Sequence, residues 1–189
     1  MRQGGPGARP AGRTTMSYQR IGSGEFTTAF GSLDRYVKGE IEIIDDDPRN
    51  YAFSNVFDVA SRSAPYEKVV VGKNLRYVIE TLRAEGDSDW YAASHDEFAI
   101  VMDGVVEIDL VELDAPDAVA PPDVEGSVKL AGRPDGRNMG FMRLRRGHQA
   151  LLPKGAAYQF RAPGSVGVIL LQTILGKHSV QKWSEICRT

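Results

Sequence analysis

Cysteine is almost missing from this chain of 189 residues: Cys187 stands alone. No internal disulfide framework can therefore hold the fold, and such usage fits a reducing compartment, so a cytoplasmic location is expected. Cys187 itself reads as a small apolar residue near the C-terminus rather than as a nucleophile. Histidine is scarce too, with His95, His148 and His178 making up the whole supply. No apolar run reaches the roughly 18 residues that a bilayer-spanning helix needs. Neither sign of charge dominates: the formal net charge of -2 removes the electrostatic case for nucleic acid or an anionic membrane as partner. What remains is ordinary for a globular domain, with 42% hydrophobic and 25% charged residues. The length suits one domain with an additional arm.

Residues 1–15, MRQGGPGARPAGRTT, hold four Gly, two Pro and three Arg, with no acid and almost nothing to bury. They are expected to form a disordered tail. Their basic start is followed by no apolar stretch of the kind a signal peptide requires, and Met16 offers a second start. Residues 16–68 read as an N-terminal arm with edge strands. KGEIEIID at 38–45 alternates Ile41 and Ile43 with Glu40 and Glu42, as a half-buried strand does, and DDDPRN at 45–50 is a turn. NVFDVASRSAPYEK fits either a short helix or an arm lying on a neighbour.

From residue 69 to 189 the strands come quickly. VVVGKNLRYVIETLR at 69–83 is rich in β-branched and aromatic residues, with a bulge or bend expected at Gly72. WYAASHDEFAIVMDGVVEIDLVEL at 90–113 turns at Asp103–Gly104, and Val106, Ile108 and Leu110 then share one face opposite Glu107 and Asp109. Residues 114–140, dense in Pro, Gly and Asp, read as an insertion ending in a turn at Pro134–Gly136. SVGVILLQTILG, at 165–176, is apolar on both faces and suits a central strand. In SVQKWSEIC, at 179–187, Val180, Trp183 and Cys187 fall at helical spacing behind Ser179 as a cap, which predicts a short C-terminal helix. Many short strands and one late helix define an all-β class: an antiparallel jelly-roll barrel with an N-terminal arm.

Two stretches, YAASHDEFAIVMDG at 91–104 and GHQALLPKGAAY at 147–158, resemble the paired motifs of the cupins, small β-barrels that commonly cage a metal ion. The first motif carries His-x-His, a Glu four or five positions on, and a Gly seven after it. Glu97 and Gly104 keep the last spacing, but the histidine positions fall on Tyr91 and Ala93. In the second motif Gly147, Pro153 and Gly155 match, and Tyr158 stands where a histidine is expected. The resemblance covers roughly residues 69–176. A divalent ion needs about three imidazole or carboxylate donors converging near 2 Å, and one carboxylate with two phenols does not supply them. No metal is therefore expected in this chain. A displaced site built from His95, Glu97 and His148 is weaker, because His148 sits in a turn.

The candidate pocket residues are Trp90, Tyr91, Glu97 and Tyr158; no catalytic residue is assigned. Tyr91 and Tyr158 fill the volume a metal site would vacate, Glu97 reads as a hydrogen-bonded structural acid, and Trp90 is placed at the rim. HDEFAIVMDGVVEI, RRGHQALLPKGAAYQF, GVILLQTILG and VQKWSEIC are further similar to the small subunit of two-component hydroquinone dioxygenases. That resemblance implies a partner, a larger cupin dioxygenase subunit holding a non-haem Fe(II), which opens a hydroquinone beside a hydroxyl to give 4-hydroxymuconic semialdehyde. It also implies that the isolated chain is inactive, that it stabilises the larger one, and that Trp90 lines an aromatic substrate pocket. Interface candidates are NVFDVASRSAPYEK and the basic edge Arg143, Arg145, Arg146. A different class stays open: a stand-alone, metal-independent cupin that binds or isomerises a small polar metabolite through Tyr91, Glu97 and Tyr158.

Overall fold

The computed structural model describes residues 55–182. The expected tail 1–15, the strand at 38–45 and the turn after it lie outside them. Helix α1, Val56–Arg62, opens the described part. Asn55 caps it, its side-chain oxygen accepting from the amides of Phe57 and Asp58, and Asp58 pairs with Arg62 one turn on. Of the two readings of NVFDVASRSAPYEK, the helix is the one observed. It lies on the barrel's own sheet, where the Thr81 hydroxyl donates to the Val56 carbonyl at 3.4 Å.

Strand β1, Lys68–Asn74, and β2, Tyr77–Ala93, form a hairpin. The expected bulge is present between Val70 and Gly72. The stretch 69–83 holds parts of two strands, parted at Leu75–Arg76. Leu75 takes φ +57, a left-handed conformation uncommon for a leucine, and the two central turn positions hold neither Gly nor Asn. Strands β3, Glu97–Asp103, and β4, Val105–Leu113, flank Gly104. They do not pair with each other as hairpin partners would; β3 pairs with later strands and so does β4. Asp103–Gly104 is thus a corner. Gly104 has φ +76, and a Cβ there would stand 2.7 Å from the Gly167 backbone, so only glycine fits.

The 114–140 insertion is more ordered than its composition suggests. It contains a short helix α2, Pro116–Val119, and strand β5, Ser127–Lys129, which pairs with Tyr91–Ala93 of β2. Its last residues already belong to β6, Gly136–Arg145, the partner of β4. Strand β7, Gln149–Leu152, joins β3. Strand β8, Ala156–Ile174, is central: β2 runs along one side, and β4 and then β3 along the other. Strand β9, Ser179–Val180, adds a two-residue parallel pairing to β1, which makes the sheet mixed. Ser179 is therefore in a strand rather than capping a helix. Its hydroxyl is held between the Gly176 amide and the Glu80 carboxylate. Residues 183–189 of the expected helix lie outside the described ones.

Alternation along these strands fills the barrel. Val106, Ile108 and Leu110 of β4, Phe160 and Ile169 of β8, and Leu82 of β2 belong to one buried cluster, as period-two patterning requires. On the other face of β4, Glu107 and Asp109 are tied to Arg143 and Arg161 by contacts of 2.6 to 3.0 Å. Arg143 of the basic edge is thus engaged in its own sheet. The second cluster, Trp90, Ala92, Val111, Leu113, Ala120 and Ala157, lies under the insertion.

Candidate functional site

The candidate site is built where β2, β3 and β8 turn their inner faces toward one another. Tyr91 and Tyr158 are direct cross-strand partners in the β2–β8 register, with ring centroids 6.1 Å apart. Glu97 opens β3 and points into the same space, fully buried. The Tyr158 hydroxyl donates to Glu97 Oε2 at 2.7 Å, and the Thr173 hydroxyl donates to Oε1 at 2.6 Å. The Thr173 hydroxyl also lies 2.9 Å from His95 Nε2, a nitrogen that the Ile174 amide approaches at 3.4 Å. His95 is in turn held below the usual histidine range, chiefly by burial, in keeping with a neutral ring.

The decisive side chain is one the sequence reading did not single out. Lys68, the first residue of β1, is 3% exposed and sends its ammonium into this interior. Its Nζ donates to the Ser127 hydroxyl and, at 3.4 Å, to Tyr158 Oη. It also stands 4.0 Å from the centroid of the Tyr91 ring, a cation–π distance. Ser127 faces Ala93 in the β2–β5 register, so the lysine head lies beside a position where the cupin motif would put an imidazole. A second acid, Glu80, completes the group. Burial, the largest effect, pushes it up to about 7, while Lys68 and the Ser179 hydrogen bond pull the other way.

Donor chemistry decides whether such a set fits a divalent ion. Tyr158 is held well above the ordinary tyrosine range, first by burial and then by Glu97, and Tyr91 is raised by burial. Both stay phenols, and Tyr158 already spends its proton on the carboxylate that would bind metal. An ammonium sits among them, and it would repel a second cation in a low-dielectric interior. The residues do not fit a metal ion. Among the described residues no three His, Cys, Asp or Glu side chains converge as ligands would. The displaced set also comes apart: His148 is exposed, its Nδ1 accepting from the Arg145 amide in a turn.

Trp90 does not join Tyr91, Glu97 and Tyr158. Its neighbour Tyr91 faces inward, so Trp90 faces outward, into the second cluster, 7% exposed and with the Arg133 guanidinium 5.5 Å over its ring. It lies within β2, Tyr77–Ala93, rather than at a strand start. A polar cleft of about 340 Å³ between Arg76, His95, Asp123 and Glu125 reaches the interior group at His95. The Arg76–Glu125 ion pair, 3.2 Å, spans it.

The barrel, built from one mixed sheet with glycine corners at the two motif positions, has the cupin fold. No protein family profile matches the chain, and neither does any curated protein. Solved structures do. The hydroquinone 1,2-dioxygenase from Sphingomonas sp. TTNP3, with 4-hydroxybenzoate bound, contains a chain 56% identical at a TM-score of 0.77; the match covers 87% of this chain and 99% of that one. The hydroquinone 1,2-dioxygenase PnpCD, in complex with Cd2+ and 4-hydroxybenzonitrile, gives 55% identity and a TM-score of 0.74 over 87% and 98%. The chain belongs to the hydroquinone 1,2-dioxygenase family. A chain of PnpCD in complex with Fe3+ shares the fold alone, at 12% identity and a TM-score of 0.51 over 75% of this chain but 39% of that one.

Proposed function

We propose that this chain is the small, metal-free subunit of a heteromeric, Fe(II)-dependent hydroquinone ring-cleaving dioxygenase, and that the iron belongs to a larger cupin partner. The observation that carries the reading is the buried Lys68 ammonium among Tyr91, Glu97 and Tyr158, where a metal-binding cupin would need donors. The unequal matches within PnpCD support it: one chain is covered almost end to end, and another, of the same fold, only to 39%. The latter has the length for a second, larger barrel.

In this assembly the chain acts on substrate only from its outer surface, because the interior is packed. Trp90 lies outside the barrel interior but is buried beneath Arg133 and the insertion; it is the candidate to line a pocket shared with the partner, where an indole can stack on a phenolic ring and exclude water. Tyr91, Glu97 and Tyr158 hold the barrel together. The outer face of β2, β3 and β7 also carries one cross-strand row of exposed apolar side chains, Ile79, Phe98 and Leu151, joined through Gln172. Such a row suits a subunit interface better than bulk water. Among the described residues no helix is long and apolar enough to cross a membrane, and we place the assembly in the cytoplasm.

Expression of the chain alone, and together with a larger cupin chain from the same source, tests the proposal through oxygen uptake on hydroquinone. The expected result is no turnover by the isolated chain, with or without added Fe(II), and ring cleavage by the pair. Chelator-resistant conversion of a small metabolite by the chain alone would favour the stand-alone reading.

A further inference from the structure

Lys68 is the one lysine among the described residues that is buried, and its surroundings explain why it can be. We infer that the Lys68 ammonium is the resident cation of this barrel, supplying from within the chain the positive charge that ties five strands around two buried carboxylates. The inference concerns this chain alone and does not depend on the dioxygenase partner.

Three observations on the geometry converge. The first is direction: the chain of donors runs from Lys68 through Tyr158 to Glu97, and the Thr173 hydroxyl, in contact with His95, donates to the other oxygen of the same carboxylate. Both oxygens of this carboxylate thus accept from hydroxyls, with an ammonium behind one of them. The second is charge. Glu97 and Glu80 are both buried, and Glu80 Oε2 has no hydrogen-bond partner. Two acids without a cation would be among the most costly features a core can hold. The third is place. Lys68 comes from β1, Ser127 from β5, Tyr91 and Glu80 from β2, Glu97 from β3 and Tyr158 from β8. One ammonium on β1 thus meets four other strands, directly or through one hydroxyl. A divalent ion performs the same office elsewhere by coordination; here the cation is covalently part of the chain and cannot be chelated away.

Removing the side chain leaves a vacancy with the chemistry of an alkylammonium site, its head position facing Ser127, Tyr158 and the Tyr91 ring. The test is thermal unfolding of the full chain carrying Lys68→Ala, with propylammonium chloride, sodium chloride and 1-propanol as additives. We expect a lowered midpoint that propylammonium raises saturably by several degrees, while the other two leave it unchanged. Equal recovery by 1-propanol would mean that Lys68 only fills volume and would overturn the inference. Should Lys68→Ala fail to fold, Lys68→Met keeps the stem and removes the charge. Lys68→Met is expected to be destabilised and to be rescued in part by adding Glu97→Gln; Lys68→Met as stable as the parent, or no coupling between the two changes, would contradict it.

Discussion

At the scale of single residues, parity along a strand decides what each side chain can do. Tyr91, Glu97 and Tyr158 meet because their positions are inner ones, and this much follows from the motif spacing alone. Trp90 was equally legible: it adjoins Tyr91, so the two cannot share a face. A role for Trp90 in substrate binding is then a matter for the outer surface. Trp90→Phe, which preserves most of the packing in its cluster, should raise the KM of the assembled enzyme for hydroquinone several-fold without releasing the subunit. Loss of assembly by size-exclusion chromatography would make Trp90 an interface residue instead. Glu80 gives a pH prediction. Its folded pKa lies above its unfolded value, at about 7 against 4.5, so its contribution to stability is whole below pH 4.5 and is lost as the pH rises through 7. The unfolding free energy from denaturant titrations should fall over that window, by roughly 3 kcal/mol from a shift of this size. Glu80→Gln should flatten the fall, and an unchanged slope would remove Glu80 as its cause.

At the scale of elements, glycine corners and alternating strands were readable, whereas pairings set by distant partners were not. The β3–β4 corner was visible as Asp103–Gly104, because a chain reversal at φ +76 calls for glycine. Gly104→Ala should cost on the order of 2 kcal/mol or more, since it adds left-handed strain to a backbone collision with Gly167. A chemical-denaturation midpoint matching the parent would show that the corner can relax. The Leu75–Arg76 turn escaped notice for the opposite reason: leucine at φ +57 leaves no compositional mark. Ser179 read well as a helix cap on local grounds. Its two-residue pairing with Lys68 and Val69, more than a hundred positions away, outweighs that preference. The insertion hid β5 likewise, because Ser127–Lys129 becomes a strand only by pairing with Tyr91–Ala93.

For the whole molecule, the sequence sufficed for the class of fold and for the mismatch between scaffold and metal ligands, because turn glycines and ligand positions are local features. The cation inside was not legible. Lys68 meets Ser127 and Tyr158 across 59 and 90 positions, and a lysine at a strand start ordinarily reads as solvated. Two unequal barrels, one carrying iron and one carrying its own ammonium, would divide the labour of a single enzyme: chemistry in one, support in the other. The most direct measurement is the iron and manganese content of each chain after the assembled complex is grown with both metals and its subunits are separated under native conditions. The account predicts that metal stays with the larger chain and that this one carries none. A stoichiometric ion retained by this chain would contradict it.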